Sequence, residues 1–242
     1  MIAAIDAGNS RIKWGLYDGT SWCKLGALPT KKATALSDVA VHWPKNIRVV
    51  ACSVAGPAVE ETIWHSVVSH SLLLHWVRSE KYAHGVQNGY EQPERLGADR
   101  WAALIGAHTC VPQKACLVVC AGTATTIDWL DHSGRFRGGL ILPGMRLMLT
   151  ALAKNTAQLP FAHGEFHAEP RNTVDAIVSG CLHAQAGAIE RMFAQAYAEN
   201  PTVCLLTGGN AGRIEPCLNI PYQYQETLIL DGLLRYGLSF VE

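Results

Sequence analysis

The segment IAAIDAGNSRIKWGLYDG, residues 2–19, decides how the chain is read. A short apolar run ends in the acid Asp6, the small residues Ala7, Gly8, Asn9 and Ser10 follow, and then Ile12, Trp14 and Leu16 alternate with Arg11, Lys13 and Gly15. Alternation of period two marks a half-buried strand, so the segment predicts strand, tight turn, strand. Glycine and asparagine are the commonest residues of hairpin turns, and a plain hairpin accounts for them. The same residues also suit an anion. Gly8 lets backbone approach a ligand, Asn9 and Ser10 offer donors to phosphate oxygens, Asp6 can hold a magnesium ion through water, and Lys13 can add positive charge.

Working outward, a near-copy of the turn recurs 114 positions on: DAGNS at 6–10 is matched by CAGTA at 120–124, each closing one apolar strand and opening another. In the second copy Thr123, Thr125 and Thr126 bring hydroxyls to the turn. Hydrophobic period predicts strands near 2–6, 11–17, 21–28, 48–53 and 73–77, with helices near 34–42, 57–70 and 98–109. The order then begins again: strands near 115–120, 125–130 and 136–142, helices near 144–153 and 173–198, a strand at 203–207, and helices near 210–217 and 227–238. Three consecutive strands before a crossover helix imply a mixed sheet with helices on its faces, built twice. Pro112, in TCVPQKA, interrupts the pattern, so domains of 1–112 and 113–242 are expected, with the two turns clamping a polyphosphate across a cleft.

Composition narrows the classes. With 242 residues, 49% hydrophobic and 17% charged, the chain can bury a substantial core. Net charge is zero and Lys and Arg are scattered, so nucleic acid is not expected as a partner. No apolar run reaches the roughly 18 residues of a membrane span and the N-terminus has no signal-peptide pattern, so no membrane association and a cytoplasmic location are expected. Eight cysteines, at 23, 52, 110, 116, 120, 181, 204 and 217, include no CxxC pair; reduced, mostly buried thiols are expected.

Further chemistry lies in NGYEQPERLGADRW, residues 88–101. Gly97, Ala98, Asp99 and Arg100 open a predicted amphipathic helix with Trp101, Leu104, Ile105 and His108 on its buried face. Asp99 is then a carboxylate at a helix start, expected to be kept ionised by the macrodipole, and either a plain cap or a base within reach of a substrate hydroxyl. Arg100 suits an anion such as a substrate carboxylate. TGGNAG, residues 207–212, places Gly208 and Gly209 between a strand and a helix, either as a simple turn or as a flat resting place for a base or ribose. In the helix near 173–198, Ile177, Cys181, Ala184, Ala188 and Met192 recur at helical spacing, Asn172 with Asp175 predicts an N-cap, and Gly180, Ala184 and Gly187 keep one face small for a close neighbour. His163, Glu165 and His167 lie between Pro160 and Pro170, which predicts a loop rather than a metal-binding helical turn. Walker A, GxSxG and GxGxxG patterns are absent.

Taken in order, Asp6-Ala-Gly-Asn-Ser, Gly-Ala-Asp99-Arg100, Gly122-Thr-Ala-Thr-Thr and Thr207-Gly-Gly, with GGLILPGMRLM at 138–148 and NTVDAIVSG at 172–180, resemble the type III pantothenate kinases of the acetate kinase, sugar kinase, heat-shock chaperone and actin superfamily. The resemblance implies an α/β fold of two ribonuclease H-like domains, with mixed sheets flanked by helices and the active site in the interdomain cleft. It implies a homodimer and ATP-dependent phosphorylation of pantothenate to 4'-phosphopantothenate, the first step of coenzyme A biosynthesis. By motif position, Asp6, Ala7, Gly8, Asn9, Ser10, Arg11, Ile12 and Lys13, with Gly122, Thr123, Gly208 and Gly209, would bind ATP and its magnesium. Asp99 would be the base, with Tyr90, Gly97, Ala98 and Arg100 around pantothenate and Thr173 reaching it from the partner subunit. In the family an Asp usually begins the second turn and is associated with a monovalent cation, potassium or ammonium. Here Cys120 stands in its place, and a neutral thiol is a poor ligand for a hard cation, so weaker or differently placed potassium dependence is expected. The competing readings are a kinase of another small carboxylate or sugar, and a catalytically weak nucleotide-binding regulator of the same fold.

Overall fold

Three antiparallel strands begin the chain: β1 (Ile2–Ala7), β2 (Arg11–Tyr17) and β3 (Trp22–Pro29). They belong to a computed structural model in which residues 1–239 are described. Every residue of β1 is buried, which marks it as the centre of a sheet covered on both faces. After α1 (Leu36–Ala40), β4 (Arg48–Ser53) returns parallel to β1; α2 (Pro57–Val68) starts on a proline whose missing N–H costs a helix start nothing, and β5 (Leu73–Trp76) runs parallel to β4. Among the described residues this makes a five-stranded sheet of order β3-β2-β1-β4-β5. A small hairpin, β6 (Tyr82–Ala83) and β7 (Val86–Gln87), precedes α3 (Ala98–Cys110).

The plan then repeats. β8 (Ala115–Ala121), β9 (Ala124–Leu130) and β10 (Phe136–Pro143) lead into α4 (Met145–Asn155) and the long α5 (Thr173–Glu199), followed by β11 (Thr202–Thr207), α6 (Ala211–Ile214), β12 (Tyr222–Tyr224) and α7 (Leu228–Ser239). The second sheet, of order β10-β9-β8-β11-β12, has the order of the first position for position. Asn172 caps α5 as expected, its side chain accepting from the Asp175 N–H at 3.0 Å.

Two compact units result, one of Met1–Pro112, Gly134–Phe136 and the chain from Thr227 on, the other of Gln113–Ser133 and Arg137–Glu226. The division differs from a single break after residue 112, because α7 packs on α3, β1 and β4 of the first unit. Residues 240–242 of the expected second domain lie outside the described residues. In the first unit one sheet face is filled by Ile5, Ile12, Leu36, Ile63 and Val67. In the second, Leu117, Val119, Ile127, Ile189 and Leu206 do the same work. Each such side chain contributes about 1.5–3 kcal/mol on burial.

The seam between α3 and α7 is backbone-close. A Cβ on Gly106 would run into the Leu228 carbonyl, and one on Gly232 into the Ala102 carbonyl. Trp101 donates from Nε1 to the Tyr236 hydroxyl at 2.8 Å, and Trp22 from Nε1 to Asp231 Oδ1 at 2.7 Å. Consequently α3 is not amphipathic: Ala98 and every residue from Arg100 to Ala107 is buried, while His108, expected on the buried face, is half-buried.

Candidate active site

In the first unit the turn after β1 is closed from within. Gly8 donates its N–H to the Arg11 carbonyl at 3.0 Å, and Thr30 braces the turn by donating Oγ1 to the Gly8 carbonyl at 2.7 Å and N–H to the Ser10 carbonyl at 3.1 Å. The Gly8 amide is therefore used within the turn itself. Asn9, Ser10 and Arg11 are exposed, Ala7 and Ile12 are buried, and Lys13 is half-buried.

Strand register places Lys13 and Cys52 on either side of Asp6. Cys52 donates its thiol to Asp6 Oδ1 at 3.7 Å. Burial, and then the charge of Asp99, push the Asp6 carboxyl up to about 7 against the opposing pull of Lys13 and the Cys52 thiol. The same burial and the Asp6 charge push the Cys52 thiol well above its ordinary range.

Asp99 occupies the first turn of α3, after Gly97 as N-cap. Its Oδ1 accepts the Arg100 N–H at 2.8 Å. A Cβ on Gly97 would stand 2.7 Å from that same Oδ1, so the glycine makes room for the carboxylate. Burial raises the Asp99 pKa, outweighing the Arg100 N–H and the Arg100 charge that pull it down, so the helix start does not hold this carboxyl below its ordinary range. Desolvation of a largely enclosed carboxylate is a larger effect than a helix terminus supplies.

Arg100 is buried, at 4% exposure, and donates from Nη1 to the Tyr90 hydroxyl at 2.7 Å. Tyr90 is delivered by the buried Asn88, whose Oδ1 accepts the Tyr90 N–H at 3.0 Å while its Nδ2 donates to the carbonyls of Glu80 at 3.2 Å and Pro93 at 3.0 Å. Asn88 and Phe136, whose ring packs beside Tyr90, were not singled out by the sequence. The signal for Asn88 was its position in NGY, where a buried asparagine can hold both arms of a loop.

In the second unit the turn after β8 is braced by different partners. Gly122 donates its N–H to the Ala124 carbonyl at 3.0 Å, Asn210 donates its N–H to the Ala121 carbonyl at 3.0 Å and its Nδ2 to the Gly122 carbonyl at 2.8 Å, and Gly144 donates to the Thr123 carbonyl at 3.0 Å. Gly208, at φ +101°, presses so close to the Ala121 backbone that a Cβ would collide with its carbonyl. That glycine serves the fold, whereas a Cβ on Gly209 would meet nothing within 4 Å. Thr125 is tied by its hydroxyl to Gln185 Oε1 at 2.8 Å. Thr173, first residue of α5, is exposed. The segment carrying His163, Glu165 and His167 is not helical and is held to α5 by the Glu165 N–H on Asp175 Oδ1 at 2.9 Å and the His167 N–H on Ser179 Oγ at 3.0 Å. Among the described residues no group of three or more His, Cys, Asp or Glu is arranged to hold a metal.

Register exposes how the two copies differ. In the first sheet the row across three strands at the turn is Lys13, Asp6, Cys52; in the second it is Thr126, Cys120, Thr207. Both charges of the first row are absent from the second. Among the described residues Thr126 Oγ1 is buried with no hydrogen-bond partner.

Comparison with known proteins gives these features a family. The family described as type III pantothenate kinase matches residues 2–195. The type III pantothenate kinase of Aromatoleum aromaticum is 50% identical over 233 residues, covering 96% of each chain, and that of Dechloromonas aromatica is 46% identical over 240 residues, covering 99% of this chain and 100% of the relative. Among solved structures, the ethanolamine utilization protein EutJ from Carboxydothermus hydrogenoformans aligns over 98% of this chain and 89% of its own at 14% identity and a TM-score of 0.57. A PilM–PilN type IV pilus biogenesis complex aligns over 98% of each chain at 12% identity and a TM-score of 0.58. Twin mixed sheets flanked by helices, each with its strand–turn–strand, make this a two-unit α/β protein, a fold these structures share. By sequence, the chain belongs to the type III pantothenate kinase family.

Proposed function

We propose that this chain transfers the γ-phosphoryl group of ATP to the hydroxyl of pantothenate, giving 4'-phosphopantothenate and ADP as the first step of coenzyme A synthesis. The observation that carries this reading is the enclosed pair Asp6 and Asp99 beside the Arg100–Tyr90 group, all in one unit. Asp99 takes the proton of the substrate hydroxyl as its oxygen forms the bond to phosphorus and the bond to ADP breaks. Its raised pKa makes it a stronger base than an exposed carboxylate. Arg100 takes the substrate carboxylate, with Tyr90, Gly97 and Ala98 shaping the space. Phosphoryl transfer asks chiefly for positioning and charge compensation, which suits this set.

Residues Asp6 to Lys13 take phosphate oxygens through Asn9, Ser10, Arg11 and Lys13, with Ala7 and Ile12 holding the turn. Gly122 and Thr123 do so in the second unit, and the open backbone at Gly209, beside Gly208, receives the nucleoside. Two carboxylates near one lysine leave an excess of negative charge that fits magnesium, held by Asp6 through water. Magnesium there would neutralise the phosphate oxygens during transfer. The row of Cys120, Thr126 and Thr207 carries no carboxylate and does not fit a hard monovalent cation.

A homodimer in which Thr173 serves the partner's substrate is part of the proposal. It is supported by an apolar groove of about 420 Å³ between α4 and α5, lined by Met148, Leu152, Ile177 and Cys181, and by Gly180, where a Cβ would meet nothing within 4 Å. The test is phosphorus NMR of purified protein with ATP, magnesium and pantothenate, alongside sedimentation. Formation of a phosphomonoester in the wild type and its loss in Asp99→Asn are expected; no product in the wild type overturns the proposal.

A further inference from the structure

Arg100 is a buried cation in the first unit, and one of the two rings beside it comes from a distant part of the chain. Its guanidinium carbon lies 5.5 Å from the centre of the Tyr90 ring and 5.8 Å from that of Phe136, and the two rings stack at 5.6 Å with 27° between their planes. The three groups form a nearly equilateral triangle, with the Arg100 Nη1 bond to the Tyr90 hydroxyl closing one edge. Phe136 is fully buried.

The backbone that delivers Phe136 is pinned. Gln87 donates its N–H to the Gly134 carbonyl at 2.9 Å, and Arg135 makes a parallel bridge to Gln87. Gly134, at φ +83°, lies so near the Gly85 carbonyl that any larger residue would collide with it. A three-residue inset, bridged to Gln87 and crowded against Gly85, thus presents one aromatic ring to one guanidinium.

We propose that Phe136 is a positioning residue for substrate selection: its ring, stacked on Tyr90, holds the Arg100 guanidinium in the orientation that accepts the carboxylate of pantothenate. A face of π-density favours the cation and restricts its rotation, and a planar bidentate donor recognises a carboxylate only when its plane is set. The inference rests on Arg100 as the carboxylate-binding group. Without the ring, Arg100 keeps its charge and loses its aim, which weakens pantothenate binding and leaves the nucleotide side untouched.

Steady-state kinetics on Phe136→Leu and Phe136→Met, which keep apolar volume and remove the ring, test this. Both are expected to raise the KM for pantothenate about tenfold, with kcat within about threefold and the KM for ATP within about twofold of wild type. Phe136→Tyr, which keeps the ring, is expected to stay within about threefold of the wild-type pantothenate KM. Ile63→Val, a core change elsewhere in the same unit, is the control for general loosening and should move none of these constants. The pantothenate-induced rise in melting temperature supplies a readout apart from turnover and should shrink in the Leu and Met variants alone. If both ring-less variants keep the wild-type pantothenate KM while Arg100→Ala raises it, the role of Phe136 is overturned and the proposed function stands. Equal changes in kcat and both KM values would also overturn it, by showing a merely structural ring. If Arg100→Ala itself leaves the pantothenate KM unchanged, the carboxylate assignment fails first.

Discussion

A Cβ on Gly97 would stand 2.7 Å from Asp99 Oδ1, a separation that carbon and oxygen do not tolerate. Gly97 has φ −54° and ψ 134°, a conformation open to alanine, so the glycine is there for the carboxylate and not for the backbone. Gly97→Ala is expected to keep its melting temperature within a few degrees while kcat falls about a hundredfold, because a displacement of an ångström at the base is enough. Thermal melts and initial rates on one preparation check both halves.

Asp99→Asn is expected to lower kcat by about 10²–10⁴-fold while nucleotide binding persists. Protonation silences a base, so the wild-type rate should fall on the acid side of its profile. Burial raises the Asp99 pKa, so that fall begins at a higher pH than an exposed aspartate would give. A profile of kcat/KM against pH, compared with the flat residual rate of the variant, measures it.

Asp6 links stability to pH in the ligand-free protein. Its carboxyl is raised from 3.8 to about 7 on folding, so the native state holds this proton more tightly than the unfolded chain. The stabilisation is present in full below the unfolded value and is lost as pH rises through about 7. Asp6→Asn, which cannot ionise, should therefore exceed wild type in stability at about pH 8 by on the order of 2–4 kcal/mol, with the advantage gone near pH 4. Denaturant titrations at both pH values test the sign.

Cys120 replaces a charge by a thiol in the second sheet. Wild-type rates in potassium and in choline chloride at equal ionic strength are expected to agree within about twofold. Cys120→Asp, which restores the acid of the first row, should gain a potassium-specific rise in melting temperature of roughly 2–4 °C that choline does not reproduce. A wild-type enzyme that stops without potassium would refute the account of this row.

At the α3–α7 seam, Gly232→Ala places a methyl against the Ala102 carbonyl. Forcing the helices apart is expected to cost roughly 1–3 kcal/mol. Because α3 carries Asp99 and Arg100, turnover should fall further than the fraction unfolded explains. Chemical denaturation together with kcat for pantothenate separates these effects.

Much of the fold was legible in local periodicity. The alternation in RIKWGLY, the continuous apolar run of β1, and the cap formed by Asn172 and Asp175 all depend on neighbours along the chain, and the structure has them where the pattern put them. What was not legible depends on partners far away. α3 was read as amphipathic because nothing near residues 98–110 announces that α7 will cover its second face. β12, only three residues long, has too few positions to show a period. Within the site, Asp6, Asp99 and Arg100 were visible as residue types in small-residue contexts. Their burial was not, and neither was the upward shift of the Asp99 carboxyl that follows from it. Phe136 lay beyond any local signal, being 36 positions from the guanidinium it faces.

The return of α7 to the first unit also sets an order in time. A ribosome has added Asp6, Asp99 and Arg100 well before Leu228 is made, an interval of roughly 6–26 s at about 5–20 residues per second. During it Trp101 lacks its Tyr236 partner and Gly106 faces no helix. The second face of α3 is covered only when Leu228–Ser239 has been made. A product cut before Leu228 would therefore hold Asp6, Asp99 and Arg100 while the helix that carries two of them has one face bare.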